Sequence, residues 1–355
     1  MSKRIGIAGA GLLGRLLAWR LSRAGHAVCV FDPAAGPAPT FDGRQPAGFS
    51  AAGMLSPLAE LDNSSVDVAS LGWRSIDRWR GITAELAGRP AFSVRGSLLL
   101  AHRGDAGAAR RVLARLAAAP QPMPRAEELS ATQLAELEPA LQPTANSWLL
   151  PGEGQIDAVA TLQALFAEAP DVSWHWQRPV QQLRAGELRL ADGSARRFDV
   201  VFDVRGTGAR PELPVRGVRG EMVWLDAPRH GLTRPLRLLH PRHRIYLVPR
   251  SADTLLVGAS EIESEDRSPM SLRSAVELMS AAHSVMPALA EARIARLDVN
   301  LRPALPDNEP LSSVEPGLVR INGLFRHGWL LAPALVDDVL RACELQLDIP
   351  VPETA

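Results

Sequence analysis

The sequence is poor in several features that would identify particular classes of protein. Its 355 residues include only 2 cysteines. Cys29 and Cys343 lie far apart and lack the spacing of a disulfide framework or a metal site. Basic and acidic residues are equal at 39 each, so no strong positive field attracts nucleic acid or anionic lipid. No run of about 18 uncharged apolar residues occurs, so we expect no membrane span. Scarce cysteine favours the reducing cytoplasm.

Motifs of metal and hydrolytic enzymes are also missing. The 8 histidines are scattered, without an H-E-x-x-H pattern, and the pair in HPRH (240–243) is better explained by a loop than by a ligand set. No G-x-S-x-G elbow occurs, so nucleophilic hydrolase chemistry has no support. The sequence therefore predicts no metal centre.

The hydrophobic content of 46% and charged content of 22% are typical of a globular protein. A chain of 355 residues is long for one simple core and suggests two connected domains. Residues 4–8 and 27–31 have the character of buried strands, with a helix predicted between them at 12–24. Further helices are predicted at 66–87, 105–119, 130–141, 157–169, 271–286 and from 328 to about 347. Further strands are predicted at 172–176, 180–185, 187–193, 197–206, 219–226, 236–240, 244–249, 254–258, 293–302 and 317–322, and a hairpin around Gly96 is predicted at 92–102.

The clearest motif is GAGLLG, which places Gly9, Gly11 and Gly14 in the order G-x-G-x-x-G. A strand precedes the motif and a helix follows it, so the helix N-terminus faces the space where a pyrophosphate would lie. Gly9 permits the tight turn, Gly11 the approach of the phosphates, and Gly14 the packing of helix on sheet. Asp32 ends the second strand, where it can accept hydrogen bonds from a ribose diol. The motif predicts a dinucleotide site, and by itself leaves NAD and FAD open.

Tyr246, in HRIYLVPR (243–250), is the only tyrosine in the chain. It occurs within an apolar run with the residue types of a strand. Two interpretations are open from the residues alone. The phenol is a core aromatic whose hydroxyl finds a partner, or it is directed at a ligand.

The order of four segments resembles the D-amino acid oxidase superfamily of FAD-dependent oxidoreductases, and is most similar to the glycine oxidases of the thiamine pathway. These segments are the glycine turn with Asp32, AAGMLSP (51–57), NLRPALPD (300–307) and GLFRHGWLLAP (323–333). The resemblance implies an α/β fold, with an FAD-binding Rossmann-like domain of the glutathione-reductase type and a second, antiparallel-sheet substrate domain. It implies FAD as the cofactor, a small amino acid or amine as the substrate, and oxygen or another electron acceptor.

The same resemblance implies roles for individual residues. Arg302 would hold the substrate carboxylate, Tyr246 would line the substrate site, and Arg326 would lie beside the flavin. Without the resemblance, a surface ion pair would be the better explanation of Arg302. The predicted cofactor-binding residues are Gly9, Ala10, Gly11, Leu12, Leu13, Gly14, Asp32, Ala51, Ala52, Gly53, Met54, Val180, Gly206, His327, Gly328, Trp329 and Leu330.

Some positions depart from the family pattern. Asn300 replaces a common glycine, Leu324 a common histidine, and His327 a common asparagine. The region after residue 204 lacks the usual aromatic, and Leu335 and Val336 are bulkier than expected. Three alternatives to a glycine oxidase therefore remain: a D-amino acid or sarcosine-type dehydrogenase, an inactive FAD-binding protein, and a plain NAD-dependent dehydrogenase. A homo-oligomer is also open.

The predicted domains alternate along the chain. The FAD-binding domain is predicted to comprise residues 1–80, 151–215 and 301–355, and the substrate domain residues 81–150 and 216–300.

Overall fold

The computed structural model describes residues 1–120, 122–142, 146–239 and 244–345, so HPRH (240–243) lies outside the described residues. The helices are α1 (Leu12–Arg23), α2 (Pro57–Glu60), α3 (Val66–Glu85), α4 (Ala106–Ala117), α5 (Ala131–Leu137), α6 (Ala158–Ala167), α7 (Leu272–Val285) and α8 (Gly328–Ala342). The strands in the first half are β1 (Arg4–Ala8), β2 (Ala27–Phe31), β3 (Met54–Leu55), β4 (Phe92–Ser93), β5 (Ser97–Ala101), β6 (Glu127–Leu129), β7 (Asn146–Leu150), β8 (Gly154–Ile156), β9 (Ser173–His175) and β10 (Val180–Arg184). Those in the second half are β11 (Glu187–Leu190), β12 (Ala195–Arg197), β13 (Val200–Asp203), β14 (Arg216–Asp226), β15 (Leu236–Leu239), β16 (Arg244–Pro249), β17 (Thr254–Gly258), β18 (Arg293–Ala304), β19 (Leu311–Glu315) and β20 (Leu318–Asn322).

A six-stranded sheet forms the first half of the architecture, in the order β19-β20-β13-β1-β2-β9. Its pairs are parallel except for β19 with β20. Apolar side chains of the central strands pack against α1, α3, α6 and α8 in one large core. Because the strands are parallel, the loops at their carboxyl ends meet at one edge, where doubly wound sheets bind ligands.

An eight-stranded sheet forms the second half, in the order β18-β14-β17-β16-β15-β5-β7-β6. Its pairs are antiparallel except for β15 with β5. Ile245 and Leu247 on β16 join a buried cluster with α7. Strand side chains alternate between faces, so Tyr246 and Val248 point to the opposite side.

The predicted fold class, a mixed α/β fold with parallel and antiparallel sheets, is confirmed. The hairpin predicted at 92–102 is wrong, because β4 pairs with β8 while β5 pairs with β7 and β15. Gly96, with φ +79°, lies between two strands that belong to different sheets. Local turn chemistry was visible in the sequence, but the partner strands are distant in the chain.

Several other boundaries differ from the predictions. The capping box at Ser130 and Gln133 is present, but α5 ends at Leu137 because Pro139 follows soon after. The final helix ends at Ala342 rather than near 347. Six strands (β3, β6, β7, β8, β12 and β19) were not predicted. None of the described helices has the length and apolar character needed to cross a membrane.

Candidate active site

A cavity of about 1160 Å³ runs between the two large sheets. It begins at the carboxyl ends of β1 and β2, passes the N-termini of α1 and α8, and ends on the inner face of the eight-stranded sheet. Typical ligand pockets measure roughly 300–1,000 Å³. The cavity therefore has room for a long cofactor together with a small substrate.

The glycine turn forms one end of the cavity. Gly9 has φ +107°, and a Cβ there would lie 2.7 Å from the carbonyl oxygen of Val204. A Cβ at Gly14 would clash with the carbonyl oxygen of Gly9, so α1 can pack this closely only with glycine. The N-cap of α1 is Gly11, with no side-chain capping bond. The N–H groups of the first turn are thus left without a capping side chain, as an anion site requires.

Asp32 lies beside this turn and is buried. Its Oδ2 accepts a hydrogen bond from the Ala10 N–H at 2.6 Å, and its Oδ1 accepts one from the Ala34 N–H at 2.8 Å. Burial raises the pKa of the Asp32 carboxyl, while these two bonds act in the opposite direction. Each carboxylate oxygen retains a further lone pair, so the group can also accept from a diol.

A second helix N-terminus opens on the middle of the cavity. His327 is the N-cap of α8 and forms no side-chain capping bond. Gly328, Trp329 and Leu330 form the first turn of α8, and all three line the cavity. The partial positive charge of a helix N-terminus favours negative charge at this point.

The AAGML segment lies along the same wall. Gly53 has φ +73°, and a Cβ there would clash with the carbonyl oxygen of Ile156. Arg250 holds the segment through Nη2 to the Ala52 carbonyl and Nη1 to the Ile156 carbonyl, both at 2.9 Å. Gly53 therefore allows the backbone to lie close to Ile156 of the same chain. This packing fixes the AAGML segment along the cavity wall.

Tyr246 and Arg302 lie on the inner face of the eight-stranded sheet. Each side chain lies over a glycine of the neighbouring strand. A Cβ at Gly258 would lie 2.5 Å from the ring and hydroxyl of Tyr246. A Cβ at Gly220 would lie 2.5 Å from the guanidinium of Arg302. The two glycines therefore allow both side chains to lie flat on the sheet at the cavity wall.

The Arg302 guanidinium donates from Nη1 to the carbonyl oxygens of Ser260, at 3.1 Å, and Arg219, at 3.3 Å. Burial lowers the pKa of Arg302 and raises the pKa of Tyr246. Within the described part of the chain, Arg302 has no carboxylate within ion-pair distance. A protonated phenol and an unpaired guanidinium are suitable donors for a small carboxylate.

Arg326 lies on the same side of the cavity but is differently bound. Its Nη2 donates to Glu60 at 2.9 Å, and its Nη1 donates to Glu261 at 3.3 Å. Glu60 also accepts from Arg237 at 2.6 Å and lies 3.0 Å from Nε2 of His327. Burial alone would raise the pKa of Glu60, but Arg237, Arg326 and the His327 hydrogen bond hold this pKa well below its usual range.

A second buried glutamate lies behind this cluster. Oε1 of Glu153 accepts a hydrogen bond from the Ala59 N–H at 2.8 Å, and Oε2 accepts one from the Ser97 hydroxyl. Burial raises the pKa of Glu153 to about 7, although Arg237 and these hydrogen bonds oppose the effect. Glu60 and Glu153 are thus two buried acids whose pKa values are shifted in opposite directions.

The structure brings nearly all the predicted site residues to this one cavity. The lining includes the predicted residues Gly9, Gly11, Leu12, Leu13, Asp32, Ala51, Ala52, Gly53, Met54, Val180, Gly206, Tyr246, Arg302, Arg326, His327, Gly328, Trp329 and Leu330. Ala10 and Gly14 are outside the lining, since Ala10 donates to Asp32 and Gly14 packs on Gly9. The assigned role of each residue stays a prediction.

Sequence reasoning missed Glu60 and Arg237. Arg237 occupies an inward position of β15, flanked by the buried Leu236 and Leu238. A charged residue within an apolar strand is a pattern that could have indicated a functional residue. Glu60 gave no such signal, because its partners come from β15 and from the start of α8.

Asn300, noted as a departure from the family pattern, has a structural function. Its Nδ2 donates to the Ser50 hydroxyl at 3.0 Å and to the Gln45 carbonyl at 3.1 Å. These bonds tie β18 to the loop before the AAGML segment. No group of three or more potential metal ligands occurs among the described residues.

Comparison with known proteins agrees with this arrangement. The model of the FAD-dependent oxidoreductase family DAO matches residues 4–337. The thiamine biosynthesis oxidoreductase ThiO of Rhizobium etli is 36% identical over 340 residues, covering 95% of both chains. The crystal structure of glycine oxidase from Geobacillus kaustophilus superposes with a TM-score of 0.81 at 24% identity, covering 98% of this chain and 96% of that one.

An FAD-containing structure shares the fold at greater distance. The dithionite-reduced L-α-glycerophosphate oxidase from Mycoplasma pneumoniae with FAD bound has a TM-score of 0.77 at 16% identity, covering 97% of this chain and 95% of that one. The glycine turn, Asp32 and two uncapped helix N-termini along one long cavity fit this cofactor. The plain NAD-dependent alternative is thereby set aside. The chain belongs to the DAO family and is an FAD-dependent oxidoreductase of the ThiO and glycine oxidase type.

Proposed function

We propose that the protein oxidises the Cα–N bond of glycine or a similarly small amino acid or amine. The observation that carries this proposal is Arg302, which faces the cavity without a carboxylate partner among the described residues. A guanidinium offers two parallel donors that match a carboxylate. The relatives named above as ThiO and glycine oxidase support the same substrate class.

Each residue then has a defined task. Arg302 binds the substrate carboxylate, and Tyr246, whose raised pKa keeps the phenol protonated, donates a second hydrogen bond. Bound FAD supplies a hydride acceptor at flavin N5. Loss of this hydride from the Cα and of an amine proton would convert the substrate to an imine, which water would hydrolyse to an oxoacid and ammonia. The N-terminus of α8 would stabilise negative charge on the part of the cofactor beside it.

We further propose that the two sheets correspond to two domains in five segments. The six-stranded sheet takes its strands from 4–31, 173–203 and 311–322, whereas the eight-stranded sheet takes its strands from 97–150 and 216–304. This alternation supports an FAD-binding domain of 1–80, 151–215 and 301–355, and a substrate domain of 81–150 and 216–300. The cytoplasmic location and a homo-oligomer stay predictions.

The test is spectroscopic. The FAD-loaded protein is mixed without oxygen with glycine, sarcosine or D-alanine, and the visible flavin absorption is followed. We expect at least one of the three to bleach it. Failure of all three would contradict the proposal and favour an FAD-binding protein without this activity. After bleaching, admission of air separates two cases: rapid recovery with stoichiometric peroxide identifies an oxidase, whereas slow recovery indicates a dehydrogenase that uses another acceptor.

A further inference from the structure

Three arginines from three separate elements reach the substrate end of the cavity. Arg302 comes from β18, Arg237 from β15, and Arg326 from the turn before α8, and all three line the cavity. Each is chemically able to bind a carboxylate. Which of them remain available therefore determines how many acidic groups a substrate can carry.

Glu60 occupies two of the three. It lies 2.6 Å from Arg237 and 2.9 Å from Arg326, with its own side chain 7% exposed. Glu261 holds the other amino group of Arg326 at 3.3 Å, but its side chain is 49% exposed. Among the cavity-lining arginines and glutamates of this cluster, which do not include Glu153, three positive charges face two negative ones, so a single positive charge is left.

We propose that Glu60 determines the charge of the accepted substrate: by binding Arg237 and Arg326 it leaves Arg302 as the one open guanidinium, so the site takes amines with one carboxylate and discriminates against those with two. The inference rests on the proposed function, since it concerns the same site. A second carboxylate would enter a partly buried region whose arginines are already paired, and would lose water without gaining a partner.

Arg237 supports this interpretation in a second way. Its Nε is buried and has no hydrogen-bond partner among the described residues. Removal of the Glu60 charge would leave Arg237 without a carboxylate at its Nη2 and with its Nε still unpaired, beside Tyr246 in the sheet register. This would create a second carboxylate site close to the first.

The experiment compares two acids that differ by one carboxylate. Acetate and malonate are titrated into the oxidised, FAD-loaded protein at a pH where malonate carries two charges, and binding is read from the perturbation of the flavin spectrum. We expect the wild type to prefer acetate. In Glu60→Gln we expect the ratio of malonate to acetate affinity to rise by about tenfold or more, the size of one charge-assisted hydrogen bond.

Two further variants define the cause. Glu261→Gln removes the negative charge that pairs with Arg326 but leaves Glu60 in place. The ratio of malonate to acetate affinity should then change by less than about threefold. Glu60→Gln combined with Arg237→Gln restores a single net positive charge, and the preference for acetate should return. If Glu60→Gln does not fold or retain FAD, Glu60→Asp decides, since its shorter side chain cannot hold both arginines and should raise the ratio in the same direction.

The titration does not depend on turnover, so this inference and the proposed function can fail separately. An unchanged ratio in a folded, FAD-loaded Glu60→Gln protein would overturn the role of Glu60, even if glycine bleaches the flavin. So would the same change of ratio in Glu261→Gln. A matching kinetic readout is the ratio of kcat/KM for iminodiacetate and sarcosine, which differ by the same carboxylate.

Discussion

The two faces of the eight-stranded sheet follow opposite rules. On the outer face, aliphatic residues such as Leu247, Val257 and Leu236 pack on α7 in a closed apolar core. On the inner face, Arg237, Tyr246 and Met222 line the cavity in one cross-strand row, in which Gly258 lies between Tyr246 and Met222. The outer face needs only apolar volume, whereas the inner face needs a specific neighbour for each polar group. Stability therefore depends mainly on one face and ligand recognition on the other.

The largest effect should come from the inner face at Arg302. Arg302→Met removes the proposed carboxylate anchor, and we expect kcat/KM for the reducing amine to fall by about 10²- to 10³-fold, about 3–4 kcal/mol. The midpoint of urea unfolding should change little, because Arg302 forms no ion pair within the described part of the chain and its hydrogen bonds go to two carbonyls and to Tyr246. Arg302→Lys is the matched control. It keeps the positive charge but lacks the two parallel donors of the guanidinium, so kcat/KM should fall by less than in Arg302→Met. Equal kcat/KM in Arg302→Met and wild type would refute the assignment.

The outer face should show the opposite behaviour at Leu247. This side chain is fully buried, and Leu247→Ala should lower the free energy of unfolding by about 3 kcal/mol through lost burial and a cavity. Denaturant titration of the FAD-loaded protein measures this change. Acetate affinity should remain within about twofold, because the neighbouring Tyr246 points to the other side of the sheet. A large loss of acetate affinity with unchanged stability would remove the distinction between the faces.

Glu153, next to the inner face, gives a pH-dependent effect of similar size. Its pKa of about 7 in the folded protein lies above the unfolded value of 4.5, so the folded state binds the proton more tightly. The contribution of Glu153 to stability is therefore present below pH 4.5 and is lost as the pH rises towards 7, with a total of about 3 kcal/mol. Glu153→Gln should abolish this loss, so its stability relative to wild type should improve from pH 5 to pH 8.

Denaturant unfolding of both proteins at the two pH values tests the Glu153 effect, because groups common to both cancel in the difference. Glu291→Gln serves as the control, since the Glu291 side chain is 89% exposed. Its difference from wild type should not depend on pH. A Glu153→Gln difference that is equally constant would show that the buried carboxyl is already ionised at pH 5.

The sequence predicted the parts of the site that depend on local pattern. The glycine turn, Asp32 and the succession of strand, helix and strand at the start of the chain follow from apolar periodicity and glycine spacing within short segments. The pairing of Arg237 with Glu60 could not be predicted, because residues 177 positions apart meet only after both sheets assemble. The same reason explains the wrong hairpin at Gly96, whose flanking strands find partners elsewhere.

The glycines under Tyr246 and Arg302 illustrate the same limit. Gly258 and Gly220 look in sequence like ordinary strand glycines, and their purpose appears only when the register aligns Gly258 with Tyr246. Gly220 aligns with Asn300, and the Arg302 guanidinium reaches across to it. A glycine in a strand leaves room on the sheet surface, and here a functional side chain from the next strand occupies that room.

The smallest effect should come from filling one of those spaces. Gly258→Ala places a methyl group 2.5 Å from the Tyr246 ring, so the phenol must lift from the sheet towards the cavity. We expect about a tenfold weaker affinity for acetate, about 1.4 kcal/mol, with FAD retained. Tyr246→Phe supplies the comparison, since it loses the hydroxyl but leaves the ring in place. If Gly258→Ala weakens acetate binding while Tyr246→Phe does not, the ring position matters and the hydrogen bond does not. If neither variant has an effect, Tyr246 is a core aromatic, and recognition on the inner face depends on the arginines alone.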